Sequence, residues 1–404
     1  MIVERAGPQT SSAQPDGETA SGDVAALAAT LAEEFRGRAA ALDQSGQFPF
    51  DNYQRMREVG YLRAAVPAEL GGLGAGLAAM ARAQQALARG CASTALAVNM
   101  HQFQVGFAAD TWRTTAAAPV EKVLRRIAAE GIVLGSTGAE AIVPGAWTTS
   151  TTAQREEGGY RISGRKYFCS QAPGMDLVRV NALDSQTGEI LVVTVPAHAE
   201  GVRVVETWDT TGMRATASHD LVLENVFVPE AAVGARLPAS GPMQHPALAG
   251  VAVWFITLTA SVYLGIAEEA RAEGLRAVGS GINSSFRAAP LTDLLIGQME
   301  AAYATAQAVR DQIVGQLDAD RADSQAALAQ AILCKEVVTT QAATVVDRAV
   351  ELAGGRAYFR KSPLERLARD VAAARFHPPA APTSFQMVGE RVRQAWAGER
   401  AASR

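Results

Sequence analysis

Cysteine is scarce in this chain. Only Cys91, Cys169 and Cys334 occur in 404 residues, far apart and odd in number. That excludes a disulfide framework and offers no zinc-ligand spacing, and it fits a reducing cytoplasm. Histidine is nearly as rare: His101, His198, His219, His245 and His377 are the full set, so each is worth weighing. An excess of one charge is missing too. The 37 basic and 41 acidic residues are interspersed and leave a net charge of −4. Without a basic stripe or block, nucleic acid is not an expected partner. Long apolar runs are absent: none reaches the ~18 residues of a membrane span, so no membrane is expected. The strongest run, Ala247 to Ile266, is interrupted by Thr and Ser and reads as a buried helix. No charged-then-apolar leader pattern opens the sequence, so export is not expected. No Gly-x-Gly-x-x-Gly turn for a nicotinamide dinucleotide is evident, and no repeat of 20–50 residues is visible.

What is present is an ordinary globular balance, 48% apolar and 19% charged, with length for two or three domains. Residues 1–22, rich in Ser, Gly, Pro and Gln, read as a disordered tail. Residues 23–131 carry Ala-rich helical patterns punctuated by Gly and Pro. Residues 132–240 change character. Short runs such as Leu191-Val-Val-Thr-Val195 and Leu221-Val-Leu223, separated by turn signals such as Gly158-Gly159, predict a small β-barrel or sandwich. From 241 to 404 the helical period returns. Met299, Ala302, Ala306, Val309, Ile313 and Leu317 mark one helix face. A second helix is expected from an N-cap at Ser324 to Ala353, ended by Gly354-Gly355. The fold class is therefore α+β, ordered helical domain, strand domain, helical bundle. The face Ala342, Val346, Ala349, Ala353 suits close helix contact, within the chain or between subunits.

Several motifs then resemble one family. Phe48-Pro-Phe-Asp51 through Glu58-Val-Gly-Tyr-Leu62, with Val66-Pro-Ala-Glu-Leu-Gly-Gly-Leu-Gly74, resemble the first helices of the acyl-CoA dehydrogenase superfamily. Gly159-Tyr-Arg-Ile-Ser-Gly-Arg-Lys-Tyr-Phe-Cys-Ser170 resembles its middle-domain strand pair. Thr211-Gly-Met-Arg-Ala215 with Leu223-Glu-Asn-Val-Phe-Val-Pro229 resembles the exit from the barrel. Glu351-Leu-Ala-Gly-Gly-Arg-Ala-Tyr358 and Pro363-Leu-Glu-Arg-Leu-Ala-Arg-Asp370 resemble its flavin-binding tail. The resemblance spans about residues 35–395. It implies an N-terminal helical domain, a middle β-barrel or sandwich and a C-terminal four-helix bundle, assembled as a homotetramer.

The same resemblance implies a flavin between barrel and bundle. Phe168 would lie against the isoalloxazine, with Cys169 beside it, a buried and inert thiol. Ser170 would donate a hydrogen bond near N5. Ser136, Thr137 and Gly138 would approach the pyrimidine edge. Gly354 and Gly355 would let backbone approach a neighbouring subunit's flavin phosphates. Asn283-Ser-Ser-Phe286 keeps the family's Phe at 286 and lacks the Arg three residues before it, which leaves FAD and FMN both open.

Departures from the family redirect the function. The dehydrogenase's proton-removing Glu falls on Pro378, and its alternative place on the first bundle helix falls on Phe255. Neither accepts a proton. Trp254 and Phe255 are expected to make an apolar substrate wall. His377, just before the lost Glu, and His101, near the end of Ala92-Ser-Thr-Ala-Leu-Ala-Val-Asn-Met-His101, resemble the flavin-dependent monooxygenase branch (group D, two-component), such as dibenzothiophene monooxygenase and sugar N-oxygenases. That branch implies reduced flavin from a separate reductase, dioxygen, and a C4a-hydroperoxide that oxygenates a small apolar, aromatic or amine substrate. An imidazole titrating near neutrality would hold the proton of that adduct. His377, His101 and Ser170 are the catalytic candidates. An ion pair between Arg369 and Asp370 is expected to fix the loop carrying His377. Two alternatives stand beside this: a dehydrogenase or oxidase acting on a non-CoA or carrier-bound substrate, and a scaffold that binds no flavin.

Overall fold

The computed structural model describes residues 18–140, 149–239, 245–280 and 289–402. The tail expected over 1–22 lies, up to residue 17, outside the described residues; helix α1 begins at Glu18.

Five helices come first: α1 (Glu18–Ser45), α2 (Phe50–Glu58), α3 (Leu77–Gly90), α4 (Ala92–Thr115) and α5 (Ala118–Glu130). In α3, Leu77, Met80, Ala81, Gln84, Leu87 and Ala88 recur at helical spacing and are buried against α1 and α6. Helix α4 is buried on every face from Ala92 to Gly106, so its polar residues Asn99, His101, Gln102 and Gln104 must find partners inside the protein.

Eight strands follow: β1 (Leu134–Thr137), β2 (Thr152–Glu156), β3 (Gly159–Cys169), β4 (Leu177–Asp184), β5 (Glu189–Pro196), β6 (Val202–Val205), β7 (His219–Pro229) and β8 (Val233–Pro238). They form one mixed sheet in the order β6-β7-β3-β2-β4-β5-β8, with β1 parallel to β4. Strand β4 shows why: Val178, Val180 and Ala182 alternate inward. The β3–β7 register slips between Lys166 and Cys169, so three steps along β3 face two along β7, from Leu221 to His219. That bulge re-aims Tyr167 and Phe168.

The bundle comprises α6 (Pro246–Gly279), α7 (Ala289–Ala319), α8 (Ser324–Ala353) and α10 (Ala381–Ala402), with the short α9 (Pro363–Ala372) before the last. Among the described residues α6 alone is long and apolar enough to cross a membrane, and 67% of its apolar window is buried inside the fold, as a core helix would be. A Cβ at Gly265 would overlap the Gln85 carbonyl, so only glycine lets α6 approach α3 this closely. On α7 the buried stripe runs Met299, Ala302, Ala306, Arg310, Val314 and Leu317, which leaves Val309 and Ile313 at its edge. Arg310 belongs to it because its guanidinium reaches the Ala81 carbonyl and Gln85 on α3. The α8 N-cap is Asp323, not Ser324: its carboxylate accepts from the Gln325 and Ala326 amides at 3.0 and 2.9 Å. Ala342, Val346, Ala349 and Ala353 are all buried within this chain, Ala349 against Gly274 of α6, so intrachain packing accounts for that face.

Candidate functional site

Six described non-glycine residues have positive φ, and four of them crowd one place: Phe168 (54°), Gln171 (61°), Met213 (52°) and Ala217 (44°). Side-chain-bearing residues adopt this region at a cost, and such residues concentrate at functional sites. Phe168, re-aimed by the β3 bulge, is 63% exposed. Behind it Trp208 stands edge-on, with ring centroids 6.0 Å apart. Strand β1 joins the same ledge. Thr137 Oγ1 donates to the Tyr167 carbonyl at 2.9 Å, and the Tyr167 amide donates to the Ala139 carbonyl at 2.9 Å. The fold therefore brings Thr137 and Gly138, with Ser136 just before them on β1, to Tyr167, next to Phe168 in the chain. A Cβ at Gly138 would meet no atom within 4 Å, so the ledge is open there.

Below Phe168 runs a line of hydroxyls. Ser170 Oγ lies 2.8 Å from Ser218 Oγ, which lies 2.7 Å from Thr216 Oγ1. Thr216 Oγ1 donates to the Met213 carbonyl at 2.9 Å. The Met213 amide donates to Asp370 Oδ1 at 2.6 Å. Asp370 is nearly fully buried, and that burial raises its carboxyl to about 6 against the pull of the Met213 amide and Arg366. The expected Arg369–Asp370 ion pair does not form. Arg369 instead grips Asp43 (2.5 Å) and Glu365 (2.8 Å), both less buried, while Asp370 points inward to anchor the Met213 turn.

His101 has a different post from the catalytic one expected. Its Nδ1 accepts from the Leu134 amide at 3.0 Å, and its Nε2 donates to the Leu62 carbonyl at 2.6 Å. Both nitrogens are committed to backbone, and burial pushes the ring down to about 4. Gln104 donates to the Gly135 carbonyl (2.7 Å) and Gln171 to the Leu134 carbonyl (2.6 Å), with Tyr53 holding Gln171 at 2.6 Å. Together these side chains clamp the start of β1 two residues before Ser136.

His377 follows α9 through the turn Ala373–Phe376. Its Nε2 sits 2.7 Å from the hydroxyl of Tyr263, a fully buried residue of α6. Lys335 of α8 donates to the His377 carbonyl at 3.2 Å and to that of Pro379. Burial first, and then the Lys335 charge, lower the imidazole to about 4. At neutral pH the ring is therefore uncharged, in place of the near-neutral titration expected. Among the described residues no hydrogen bond links His377 to the Ser170 line; the two are tied at the C-terminal end of α9, which carries Asp370 and leads through the turn Ala373–Phe376 to His377.

The expected apolar wall is revised at Trp254: its indole is buried, donates to Asp110 Oδ2 at 2.7 Å, and packs on Gly106, where a Cβ would overlap the ring. Its neighbour Phe255 is half-buried, edge-on to Phe103 at 5.4 Å. The Cys169 thiol turns away from the ledge toward Met175, and burial pushes it up to about 12. Gly354 (φ 62°) ends α8, and Gly355 faces open space. Phe286 lies outside the described residues. A cavity of about 570 Å³ lined by Arg36, Asp43, Arg214 and Arg366 includes no ledge residue. Among the described residues, no group of three or more His, Cys, Asp or Glu could hold a metal.

Sequence reasoning missed Trp208, Thr216, Ser218 and Tyr263. Only Trp208 carried a signal, as one of five tryptophans, just before the Thr211-Gly-Met-Arg motif. It also missed Lys166 and Glu140, which form a fully buried ion pair. Burial would raise the Glu140 carboxyl, but Lys166 and the Thr149 and Ser150 donors outweigh that and hold it at about 2. The pair locks the end of β1 to β3, immediately beside the ledge.

Comparison with known proteins matches this chain to acyl-CoA dehydrogenase domains along its length: the N-terminal domain over residues 24–130, the middle domain over 142–226 and the C-terminal domain over 257–381. It is 31% identical over 363 residues to YdbM of Bacillus subtilis (strain 168), whose name carries an unproven acyl-CoA dehydrogenase assignment; the match covers 86% of this chain and 91% of YdbM. It is also 31% identical over 379 residues to L-evernosamine nitrososynthase of Micromonospora sp. (strain ATCC 39149 / NRRL 15099 / SCC 1413), covering 88% and 86%. The structure is similar to KijD3 in complex with FMN and dTDP-3-amino-2,3,6-trideoxy-4-keto-3-methyl-D-glucose. That match has a TM-score of 0.85 and 26% identity, and it covers 94% of this chain and 95% of that one.

Proposed function

The chain belongs to the acyl-CoA dehydrogenase family as a flavin-dependent oxidoreductase, and within it we propose a two-component monooxygenase that receives reduced flavin and oxygenates an amine nitrogen. The observation carrying this reading is an open aromatic ledge whose neighbourhood holds no carbon-deprotonating base at the family's positions. A planar ring needs an apolar face, polar atoms along one edge, and room. Phe168 backed by Trp208, then Ser170 and Thr137, then the space at Gly138 meet those needs. The family's two base positions hold Pro378 and Phe255. Asp370, the buried carboxylate nearest in the bond network, is nearly inaccessible and already holds the Met213 amide.

A bound reduced flavin would supply the two electrons with which dioxygen gives one oxygen atom to the amine and the other to water. The residues do the rest. Phe168 and Trp208 carry the ring. Ser170 holds the N5 edge, and Thr137 with Ser136 and Gly138 holds the pyrimidine edge. His377, neutral and steadied by Tyr263, serves as the hydrogen-bonding group on the substrate side. The likeness to a nitrososynthase and to an amino-sugar complex supports an amine substrate, and the FMN in that complex supports FMN over FAD. A separate reductase, a homotetramer and a cytoplasmic setting complete the proposal.

Purified protein given reduced FMN and then oxygen should hold, for seconds, an absorbance distinct from both reduced and oxidised flavin. Immediate featureless reoxidation overturns the reading. Tightly bound oxidised FAD that substrate reduces without oxygen would point to a dehydrogenase or oxidase, and no flavin affinity in either redox state to a scaffold.

A further inference from the structure

The hydroxyls under Phe168 can be ordered in only one direction. The Met213 carbonyl has no proton to give, so at 2.9 Å Thr216 Oγ1 must donate to it; two bare oxygens at that distance would repel. A hydroxyl has a single proton. With that of Thr216 spent, the 2.7 Å contact to Ser218 requires Ser218 to donate. With that of Ser218 spent, the 2.8 Å contact to Ser170 requires Ser170 to donate. The line therefore runs Ser170 to Ser218 to Thr216 to Met213, and Ser170 Oγ faces outward with lone pairs only. Its far end is fixed: Asp370 holds the Met213 amide, and Trp208 Nε1 and the Thr216 amide also bond the Met213 carbonyl, both at 3.1 Å. Thr216 is fully buried and Ser218 nearly so, which keeps water from reversing the line.

We infer that this relay makes Ser170 an obligate acceptor, so that the site selects flavin protonated at N5, the reduced form, over oxidised flavin. The inference rests on the placement of Ser170 beside N5 proposed above, and it reverses the donor role expected from sequence. Reduced flavin carries an N5–H that Ser170 can accept. Oxidised N5 is itself a lone pair and would face the lone pairs of Ser170. Ser218 and Thr216 act through Ser170 and are positioning residues. The consequence is functional: the protein takes up the form that reacts with oxygen and lets the spent form go, as a two-component partner must.

The test compares dissociation constants for oxidised FMN and for reduced FMN held anaerobically, in the wild type and in four variants. Wild-type protein should bind reduced FMN more tightly. Ser218→Ala frees the Ser170 proton to turn outward, and the oxidised-to-reduced ratio should fall about tenfold, near 30 mV in the bound flavin's two-electron potential. Thr216→Val should shift it the same way, and Ser218→Thr, which keeps the hydroxyl, should restore it. If Ser170→Ala weakens reduced FMN while Ser218→Ala leaves the ratio unchanged, the relay is wrong and the placement of Ser170 stands. If Ser170→Ala changes neither constant, the placement itself fails.

Discussion

Tyr263 and His377 stand 2.7 Å apart, phenol oxygen to Nε2, with the phenol fully buried. Burial, and after it the charge of Asp370, hold the phenol well above its usual titration range, so it stays protonated and can donate. The imidazole is neutral at physiological pH. The pair is thus a fixed, uncharged hydrogen-bonding unit. Tyr263→Phe should lower product formed per reduced flavin consumed, with hydrogen peroxide making up the difference, at a stability cost of about 1 kcal/mol. His377→Ala should cost more, about 100-fold in turnover. Simultaneous product and peroxide assays check both; unchanged coupling in His377→Ala would remove this residue from the mechanism.

Acid should loosen the fold through His101. Its folded value near 4 lies below the ordinary 6.5, so between those values the unfolded chain binds the extra proton. Stability from this group is complete above about pH 6.5 and is lost as pH falls toward 4, on the order of 3 kcal/mol in all. His377 adds in the same direction. Urea unfolding at pH 7, 6 and 5 should show the decline, and His101→Gln should flatten it while lowering stability at pH 7.

Asp370 works in the opposite sense. Its folded value of about 6 exceeds the ordinary 3.8, so the stabilising proton is held at low pH and lost as pH rises through 6. At pH 7.5 the buried charge is a cost. Asp370→Asn keeps an oxygen for the Met213 amide and removes that charge. It should raise stability at pH 7.5 by on the order of 2 kcal/mol and have little effect at pH 4. Thermal melts at the two pH values decide it.

The revised position of Trp254 separates two neighbours. Trp254→Ala should lose about 3–5 kcal/mol of stability, because it empties a packed site and removes the indole donor from Asp110, which keeps Arg321. Phe255→Ala should leave stability closer to wild type and shift KM across a panel of amines. Melting temperatures alongside KM values test the pair of expectations.

Lys166→Met leaves Glu140 buried and unpaired beside the ledge. A loss of about 3–5 kcal/mol is expected, with weaker FMN binding because Ala139 and Tyr167 no longer hold register. Lys166→Met with Glu140→Leu should recover most of the stability, which denaturant unfolding reads directly.

The domain order and the helix stop at Gly354 were legible because they depend on local pattern and motif. His101 and Trp254 misled because a buried polar or aromatic side chain looks the same in sequence whether it faces a ligand or a backbone carbonyl. Asp370 misled because an adjacent Arg369 suggests an ion pair, whereas neighbouring residues on a helix point about 100° apart. The hydroxyl relay could not be read at all. Ser170 and Ser218 are 48 positions apart, and only the β3–β7 pairing makes them neighbours.

The central claim is that oxygen from dioxygen, activated by reduced flavin, enters the substrate. The direct measurement is mass spectrometry of product made from chemically reduced FMN, ¹⁸O₂ and a panel of primary amines that includes dTDP-linked amino sugars. The expected result is one ¹⁸O atom per N-oxygenated product. Product without label, or oxidised flavin reduced by substrate in the absence of oxygen, would contradict it.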